Sequence, residues 1–329
     1  MKRRSLLAAS LVCIATPSVA NIRPRPLVIS TGTPGGTYYP LGVGLSQLLN
    51  AQRVPRTRRR LAAVSSAGSI ENLDRLQWGD CDLALCQALF ARQAYQRQGQ
   101  FSDFSPRAPV VSLGALWPNV EHFVMRSGLS SNADLRGLVS KGVSINLGAP
   151  GSGALGSGQF LLQALGFEFE RRNGLYYDGY TDAVTALVSG AVDMINLPGG
   201  VPVPAVTRAF KLSRGSVRVA SLSEADVVRA DAGMELWQPV TLSAFTYPGQ
   251  ATPIQTLAQP NILLGHAELA DDEVEGVLRG LFDGAAFLSN VHPAAAGIQL
   301  QRATLGLSFP LHTAAQRFYQ ERGALVRHS

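Results

Sequence analysis

Short apolar runs alternate along the chain with longer segments whose apolar residues have helical spacing. The first run, residues 27–30, reads as a strand, and a glycine-rich turn at residues 31–36 follows it. The next segment places its leucines at intervals of four, three and one, which predicts one apolar face of a helix. These leucines are Leu41, Leu45, Leu48 and Leu49. The pattern predicts a strand, turn and helix in sequence.

The same arrangement returns later in the chain. Residues 143–147 read as a strand, residues 148–153 as a second glycine-rich turn, and the helix that follows carries Leu155, Leu162 and Leu165. A further pair recurs at an interval of 111 residues: a helix that ends at a glycine, then an aspartate and a buried strand. The two copies contain Gly79 with Asp82 and Gly190 with Asp193.

This repetition predicts an α/β fold with two lobes, each a mainly parallel sheet flanked by helices. Segments 121–126 and 261–265 look like strands that cross between the lobes. The expected division is residues 21–122 plus 262–329 for lobe 1 and 123–261 for lobe 2. An amphipathic helix starting at Asp271 is expected to pack back on lobe 1. Ligands of open α/β sheets bind beyond the carboxyl ends of the strands, so both glycine-rich turns should line one cleft.

The two glycine-rich turns are suited to binding a small anion. Each opens a helix, where backbone N–H groups have no intrahelical partner and the helix dipole adds partial positive charge. Glycine lets ligand oxygens approach because it has no Cβ. The candidate contacts are Gly35, Gly36, Thr37, Ser152 and Gly153.

Further polar and aromatic candidates stand near these turns. Ser69 begins a predicted helix, either as a ligand contact or only as its N-cap. Gln87 follows a predicted strand and can bond a carboxylate or an amine. Tyr38 and its neighbour Tyr39 follow the first turn, and one of the two is expected to face the cleft. Trp117, at a predicted strand end, fits a cleft wall or a buried core equally well.

The N-terminal residues predict export. A charged start, a short apolar stretch and small residues before position 20 indicate a signal peptide over residues 1–20, cleaved after Ala20, and a periplasmic protein. A lipoprotein anchored at Cys13 is less favoured because Val12 precedes it. Cleavage lowers the net charge from +6 to +3. The basic run at residues 56–60 has no interleaved aromatics, so a solvated loop is favoured and no nucleic-acid partner is expected.

The remaining cysteines and the chain's motifs give no support to a metal or cofactor. Cys81 and Cys86 flank a predicted strand, which separates their Cα atoms by about 16 Å, beyond the reach of a disulfide. We expect two buried thiols. The sequence has no CxxC or HExxH spacing, so neither a metal site nor a cofactor is expected.

An oxidoreductase is the competing interpretation. Residues 151–156 match G-x-G-x-x-G, and Asp178 follows at about the distance of a ribose-binding acid. The turn of the first lobe does not match this pattern, and export argues against a nicotinamide enzyme. The sequence has neither a G-x-S-x-G elbow nor a P-loop lysine. We therefore expect a binding protein with no catalytic residues.

Several blocks, taken in order, resemble the TAXI family, the TRAP-associated extracytoplasmic immunogenic solute receptors. The blocks are residues 31–42, 68–73, 79–87, 148–153, 246–250 and 292–295. The resemblance covers nearly the whole exported chain. It implies a type II periplasmic-binding-protein fold, membrane subunits of a TRAP transporter as partners, and a carboxylate ligand such as glutamate or 2-oxoglutarate.

The resemblance also implies which positions face the ligand. It supports Gly36, Thr37, Tyr38, Ser69, Gln87, Ser152 and Gly153, and it adds Tyr247 from a later block. Asn196 opens a segment that departs from the family pattern and is a candidate for altered selectivity. Ala88, Leu89 and Ala154 replace polar residues common in the family, which indicates a less polar or differently oriented ligand. A sensor that presents its ligand to a membrane receptor remains an alternative to transport.

Overall fold

A computed structural model of the chain describes residues 25–51, 59–129, 134–167, 175–176 and 178–324. The predicted signal peptide and most of the basic run at residues 56–60 lie outside these ranges. Within the described ranges, no helix combines the length and apolar character needed to cross a bilayer.

Strands and helices alternate through most of the chain. The strands are β1 Leu27–Ser30, β2 Leu61–Val64, β3 Leu83–Gln87, β4 Val110–Val120, β5 Phe123–Arg126, β6 Ile145–Asn146, β7 Leu175–Tyr176, β8 Met194–Asn196, β9 Val217–Val219, β10 Gln238–Leu242 and β11 Ile254–His266. The helices are α1 Tyr38–Asn50, α2 Ser69–Trp78, α3 Ala88–Gln96, α4 Leu135–Ser140, α5 Gly153–Ala164, α6 Tyr180–Ser189, α7 Pro204–Ser213, α8 Glu224–Asp231, α9 Asp271–Phe282, α10 Ala285–Val291 and α11 Thr313–Glu321.

The strands form two sheets, and we call the halves of the molecule built on them lobe 1 and lobe 2. The first sheet has the order β10-β11-β3-β1-β2, with β4 also paired to β11. The second has the order β7-β6-β8-β5-β9. Helices flank both sheets, as expected for an α/β fold. β4 and β5 follow each other in the chain but lie in different sheets, so the chain passes from lobe 1 to lobe 2 between them.

Both sheets are mixed, which refines the expectation of mainly parallel sheets. β1 pairs in parallel with β2 and β3, and β6 pairs in parallel with β7 and β8. The strands next to the crossings run the other way: β5 is antiparallel to β8 and β9, and β11 to β3, β4 and β10. Each lobe therefore has a parallel βαβ part and an antiparallel part beside the crossing.

The recurring helix ends have the geometry that the glycines predict. Gly79 ends α2 with φ 75°, and Gly190 ends α6 with φ 82°, both in the left-handed region that favours glycine. The repeated aspartates tie the neighbouring strands together. Asp82 Oδ2 accepts from the N–H of Val28 at 2.8 Å, and Asp193 Oδ2 accepts from that of Ser144 at 3.0 Å. The repeated glycines and aspartates therefore have structural roles in both lobes.

Apolar packing continues from one lobe into the other. One buried cluster includes Phe90 of α3 in lobe 1 and Leu161 of α5 in lobe 2. A Cβ placed on Gly156 of α5 would lie 2.5 Å from the ring of Phe90, so glycine allows this contact. Cys81 and Cys86 are buried free thiols, as expected. The two lobes are therefore in close contact, with the cleft between them closed.

Candidate functional site

Three helices, two from lobe 1 and one from lobe 2, begin around one small cavity. The residues at these starts are Thr37 and Tyr38 for α1, Gly68 and Ser69 for α2, and Ser152 and Gly153 for α5, and all of them line the cavity. The volume is about 40 Å³. Amides of a first helical turn have no intrahelical acceptor, so three sets of N–H donors surround one space.

Two glycines allow the starts of α2 and α5 to approach each other. Gly68 has φ 137°, and a Cβ on it would lie 3.2 Å from the amide nitrogen of Gly153. A Cβ on Gly153 would lie 2.7 Å from Ser69 Oγ and 2.8 Å from Gln87 Nε2. The N–H of Glu71 donates to the carbonyl of Gly151 across this junction at 3.0 Å. A larger residue at either glycine would push the lobes apart.

The side chains around the cavity are neutral. Among the described residues that line it, none is Asp, Glu, Lys, Arg or His. Tyr38 donates from its phenol to Asn261 Oδ1 at 2.5 Å, and Tyr180 to the carbonyl of Pro198 at 2.5 Å. Burial raises the pKa of both phenols well above the ordinary value, so both stay protonated. Positive potential in the cavity therefore comes from backbone amides.

Seven of the predicted contacts come together at this cavity: Gly36, Thr37, Tyr38, Ser69, Gln87, Ser152 and Gly153. Ser152 is also the N-cap of α5, because its Oγ accepts from the N–H of Leu155 at 3.0 Å. Of the two tyrosines after the first turn, Tyr38 lines the cavity. The Thr37 hydroxyl is already engaged, since it donates to the carbonyl of Gly200 at 3.1 Å and accepts from its N–H at 3.0 Å.

Four predicted contacts lie elsewhere. Gly35 is at the lobe junction, where its carbonyl accepts from the N–H of Ala205 at 3.2 Å. Trp117 packs behind Tyr38, edge to face at 6.0 Å between ring centroids. Asn196 is buried and donates to the carbonyl of Ala154 at 2.9 Å. None of the four lines the cavity.

Tyr247 is the fourth of these residues, and its contacts explain its position. Its ring stacks on Phe210 in the core of lobe 2, and its hydroxyl accepts from the N–H of Val203 at 3.1 Å. The same hydroxyl bonds His122 Nε2 at 2.8 Å. Burial lowers the pKa of His122 to about 4, so the imidazole is neutral. Tyr247 is therefore a core residue of lobe 2.

Sequence reasoning missed several residues of the cavity. Asn119, Tyr180, Pro198 and Gly199 line it alongside the predicted ones. Asn119 lies near the end of β4, two residues after Trp117, and only its place at a strand end could have suggested it. Tyr180 is the first residue of α6. The repeat seen in the sequence covers the end of this helix and did not indicate where the helix begins.

A second buried polar group adjoins the cavity on the lobe 2 side. The Glu121 side chain is fully buried, and neither of its carboxyl oxygens has a hydrogen-bond partner of good geometry. Burial raises its pKa to about 8, while Ser157 and Asn196 beside it act in the opposite direction. The same carboxyl helps raise the pKa of Tyr180, which lines the cavity. Glu121 is therefore mainly protonated at neutral pH.

The acid that matches the dinucleotide-binding pattern is bonded to a neighbouring side chain. Asp178, the candidate ribose-binding acid, accepts from Asn146 Nδ2 at 2.9 Å, and its N–H donates to Asn146 Oδ1 at 3.2 Å. Over the part of the chain that the structure describes, no group of three or more His, Cys, Asp or Glu side chains is placed to hold a metal ion.

Comparisons with known proteins agree with this architecture. A model of the NMT1-like family matches residues 29–323. The structure is similar to MatC from Rhodopseudomonas palustris with bound malate: 14% identity, 90% of this chain and 96% of that one, TM-score 0.54. It is also similar to the periplasmic binding protein BugD, at 13% identity, 91% and 94% coverage and TM-score 0.52.

A third similar structure is the binding protein component of an ABC phosphonate transporter from Pseudomonas aeruginosa. The two sequences are 11% identical, the match covers 84% of this chain and 80% of that one, and the TM-score is 0.51. At these identities the likeness shows the fold alone. The two-lobed α/β fold predicted from the sequence is confirmed.

Proposed function

Because this chain belongs to the NMT1-like family, we propose that it is an extracytoplasmic receptor that captures a small organic anion between its lobes. The observation that carries the proposal is the convergence of α1, α2 and α5 on one neutral cavity. N–H groups at helix starts bind anions without a basic side chain. The shared fold of the periplasmic and transport-related proteins named above supports a binding role over a catalytic one.

The proposed ligand is a small carboxylate, with glutamate and 2-oxoglutarate as the examples that the TAXI resemblance gives. A carboxylate matches the arrangement because two oxygens can accept from several amides at once. The described residues that line the cavity include no carboxylate, so a cation would find no opposite charge there. The absence of Arg and Lys among the described lining residues also argues against tight binding of a highly charged anion.

The proposed mechanism is closure of the two lobes over the ligand. In the closed form, bonds from Glu71 to Gly151, from Ala205 to Gly35 and between Thr37 and Gly200 join the lobes. The starts of α2 and α5 approach each other closely and leave a volume of only about 40 Å³, so in this mechanism the lobes separate to admit the ligand. An anion that bonds helix starts of both lobes favours the closed form over the open one.

The resemblance to TAXI receptors further suggests how the protein is used. We propose delivery of the ligand to the membrane subunits of a TRAP transporter, and export directed by residues 1–20. We keep the boundaries predicted from the sequence, 21–122 plus 262–329 and 123–261, as a proposal. β10 and the first part of β11 lie within the second of these ranges but pair in the sheet of lobe 1. The passage of the chain between β4 and β5 supports the first of these boundaries.

Thermal denaturation of the protein starting at Asn21, with a panel of carboxylates, sulfonates and phosphonates, tests the proposal. At a hundredfold excess over Kd, a bound carboxylate adds about 2.7 kcal/mol to the free energy of unfolding. Calorimetric titration then gives the affinity. A panel in which no carboxylate shifts the melting temperature would contradict the proposed function.

A substitution at Gly153 tests the site itself. Gly153→Ala places a methyl group against Ser69 Oγ and Gln87 Nε2 and hinders closure. We expect carboxylate affinity to fall by about tenfold or more, a loss of about 1.4 kcal/mol. Gly128→Ala is the control, because a Cβ on Gly128 meets nothing within 4 Å. Equal affinities for the two variants would show that the start of α5 takes no part in binding.

A further inference from the structure

Asn119 lines the cavity and carries a buried hydrogen-bond acceptor that has no partner. Its side chain is 2% exposed and lines the cavity. The Nδ2 group donates to Asn261 Oδ1 at 3.0 Å. Oδ1, at the other end of the amide, is buried and has no partner. Among the buried side-chain polar atoms of the described lining residues, it is the one left unpaired.

The orientation of this amide follows from a backbone group. Asn261 Nδ2 donates to the carbonyl of Trp117 at 3.0 Å, and a carbonyl can only accept. Asn261 Oδ1 must therefore face Tyr38 and Asn119, and it accepts from both. Asn119 must then turn its NH₂ group to Asn261, which leaves Oδ1 as the unpaired acceptor of a residue that lines the cavity. A flipped amide would set two oxygens against each other.

A parallel series of bonds fixes Gln87 as a donor. The N–H of Leu89 donates to Gln259 Oε1 at 2.7 Å, and Gln259 Nε2 donates to Gln87 Oε1 at 3.1 Å. Gln87 Nε2 is thus left for the cavity, next to Gly153. The oxygens of Ser69 and Ser152 already accept from backbone N–H groups, which leaves their O–H groups as donors.

From this inventory we infer that the ligand is a hydroxycarboxylate, whose hydroxyl donates to Asn119 Oδ1 while its carboxylate accepts from the helix starts. The inference rests on the proposed function and narrows its ligand class. A keto or unsubstituted acid offers no donor and would leave Oδ1 buried without a partner. A site built to bond a hydroxyl rejects analogues that lack it.

The donors and acceptors that line the cavity also favour a hydroxy acid over an amino acid. An ammonium group carries three N–H donors and a positive charge, and it is best paired with a carboxylate or several acceptors. Among the described residues that line the cavity, the unpaired buried side-chain acceptor for such an ammonium group is the neutral amide oxygen of Asn119. Glu121 is buried next to the cavity but does not line it. A hydroxyl, with one hydrogen to donate, matches one acceptor.

Calorimetric titration of the protein starting at Asn21 with matched acids tests the inference. Each set has one chain length and differs at the second carbon: lactate, pyruvate, propionate and alanine; malate, oxaloacetate, succinate and aspartate; 2-hydroxyglutarate, 2-oxoglutarate, glutarate and glutamate. We expect the hydroxy acid of the set that binds to be at least about tenfold tighter than its three analogues.

Two variants connect this preference to Asn119. Asn119→Leu removes the acceptor, so the hydroxy, keto and unsubstituted acids should bind within about threefold of one another. Asn119→Asp keeps the shape, adds a charge and should shift the preference toward the amino acid. Asn290→Leu, at an exposed position, should keep the wild-type ranking. Melting temperatures verify that each variant is folded.

The outcomes separate this inference from the proposed function. A keto, unsubstituted or amino acid that binds wild type as tightly as the hydroxy acid overturns the inference and leaves the receptor proposal standing. A preference for the hydroxy acid over the keto and unsubstituted acids that survives in Asn119→Leu also overturns it. Where Asn119→Leu fails to fold, an Asn119→Asp variant whose preference does not shift toward the amino acid overturns it instead. If no acid of any set or of the wider panel binds, the proposed function fails and the inference fails with it.

Discussion

Replacing Glu121 with glutamine should remove a loss of stability that the wild-type protein suffers as the pH rises. The carboxyl is fully buried, beside Ser157, Asn196 and Tyr180, with His122 next in the chain. Ser157 Oγ and Asn196 Oδ1 also have no partner. A protonated Glu121 can donate to Asn196 Oδ1 and accept from the Ser157 hydroxyl, and an ionised one cannot donate.

The size and sign of the effect follow from the pKa of this carboxyl. Burial raises it from 4.5 to about 8 in the folded protein. Its stabilising contribution is complete below pH 4.5 and is lost as the pH rises through the folded value. The full loss is about 5 kcal/mol, and most of it falls between pH 5 and pH 8.

The assay is urea denaturation of wild type and Glu121→Gln at pH 5, 6, 7 and 8. His122, whose pKa is lowered to about 4, loses stability in the acid direction and does so in both proteins, so the difference isolates Glu121. Glu268→Gln, at an exposed carboxyl, is the control and should match wild type throughout. A wild-type to Glu121→Gln difference that stays constant from pH 5 to pH 8 would refute the reasoning.

Three further changes have expected outcomes. Tyr247→Phe should lower the free energy of unfolding by about 2 kcal/mol in urea, because it unpairs two buried groups, whereas Tyr95→Phe at an exposed tyrosine should have little effect. Thr37→Val removes both bonds to Gly200, so small-angle scattering should detect a more open form and ligand affinity should fall by roughly tenfold, while Thr37→Ser should retain both properties. Burial raises the pKa of the Cys81 thiol to about 12, so a thiol reagent should label it only after unfolding.

Local sequence patterns predicted the parts of the structure that local physics determines. The strand, glycine-rich turn and helix at residues 27–49 and 143–165 lie where the periodicity places them, and α9 begins at Asp271 as expected. Gly79 and Gly190 end their helices in the left-handed conformation, which glycine adopts most readily. Such signals depend on neighbours within a few residues, which the sequence displays directly.

The positions that local patterns did not determine belong to residues whose place depends on distant partners. The resemblance gives Tyr247 as a ligand-facing position, whereas stacking on Phe210 and the bond to His122 hold its side chain in the core of lobe 2. The residues next to Asn119 in the sequence do not indicate that its side chain lines the cavity. Its orientation depends on Asn261, which is 142 residues away. Periodicity cannot reveal such pairs because they form only when β4 and β11 align.

The position of the donors gives the proposed receptor a physical link between recognition and closure. The amides at Gly68 and Ser69 belong to lobe 1 and those at Gly153 to lobe 2, so neither lobe alone presents the full set. The close approach of Gly68 to Gly153, which brings the donors together, also limits the space between them. A ligand too large for that space would hold the helix starts apart and lose amide bonds from one lobe. Lobe closure therefore selects the ligand by its size and its charge in the same step. An acid that binds without closing the lobes should bind weakly.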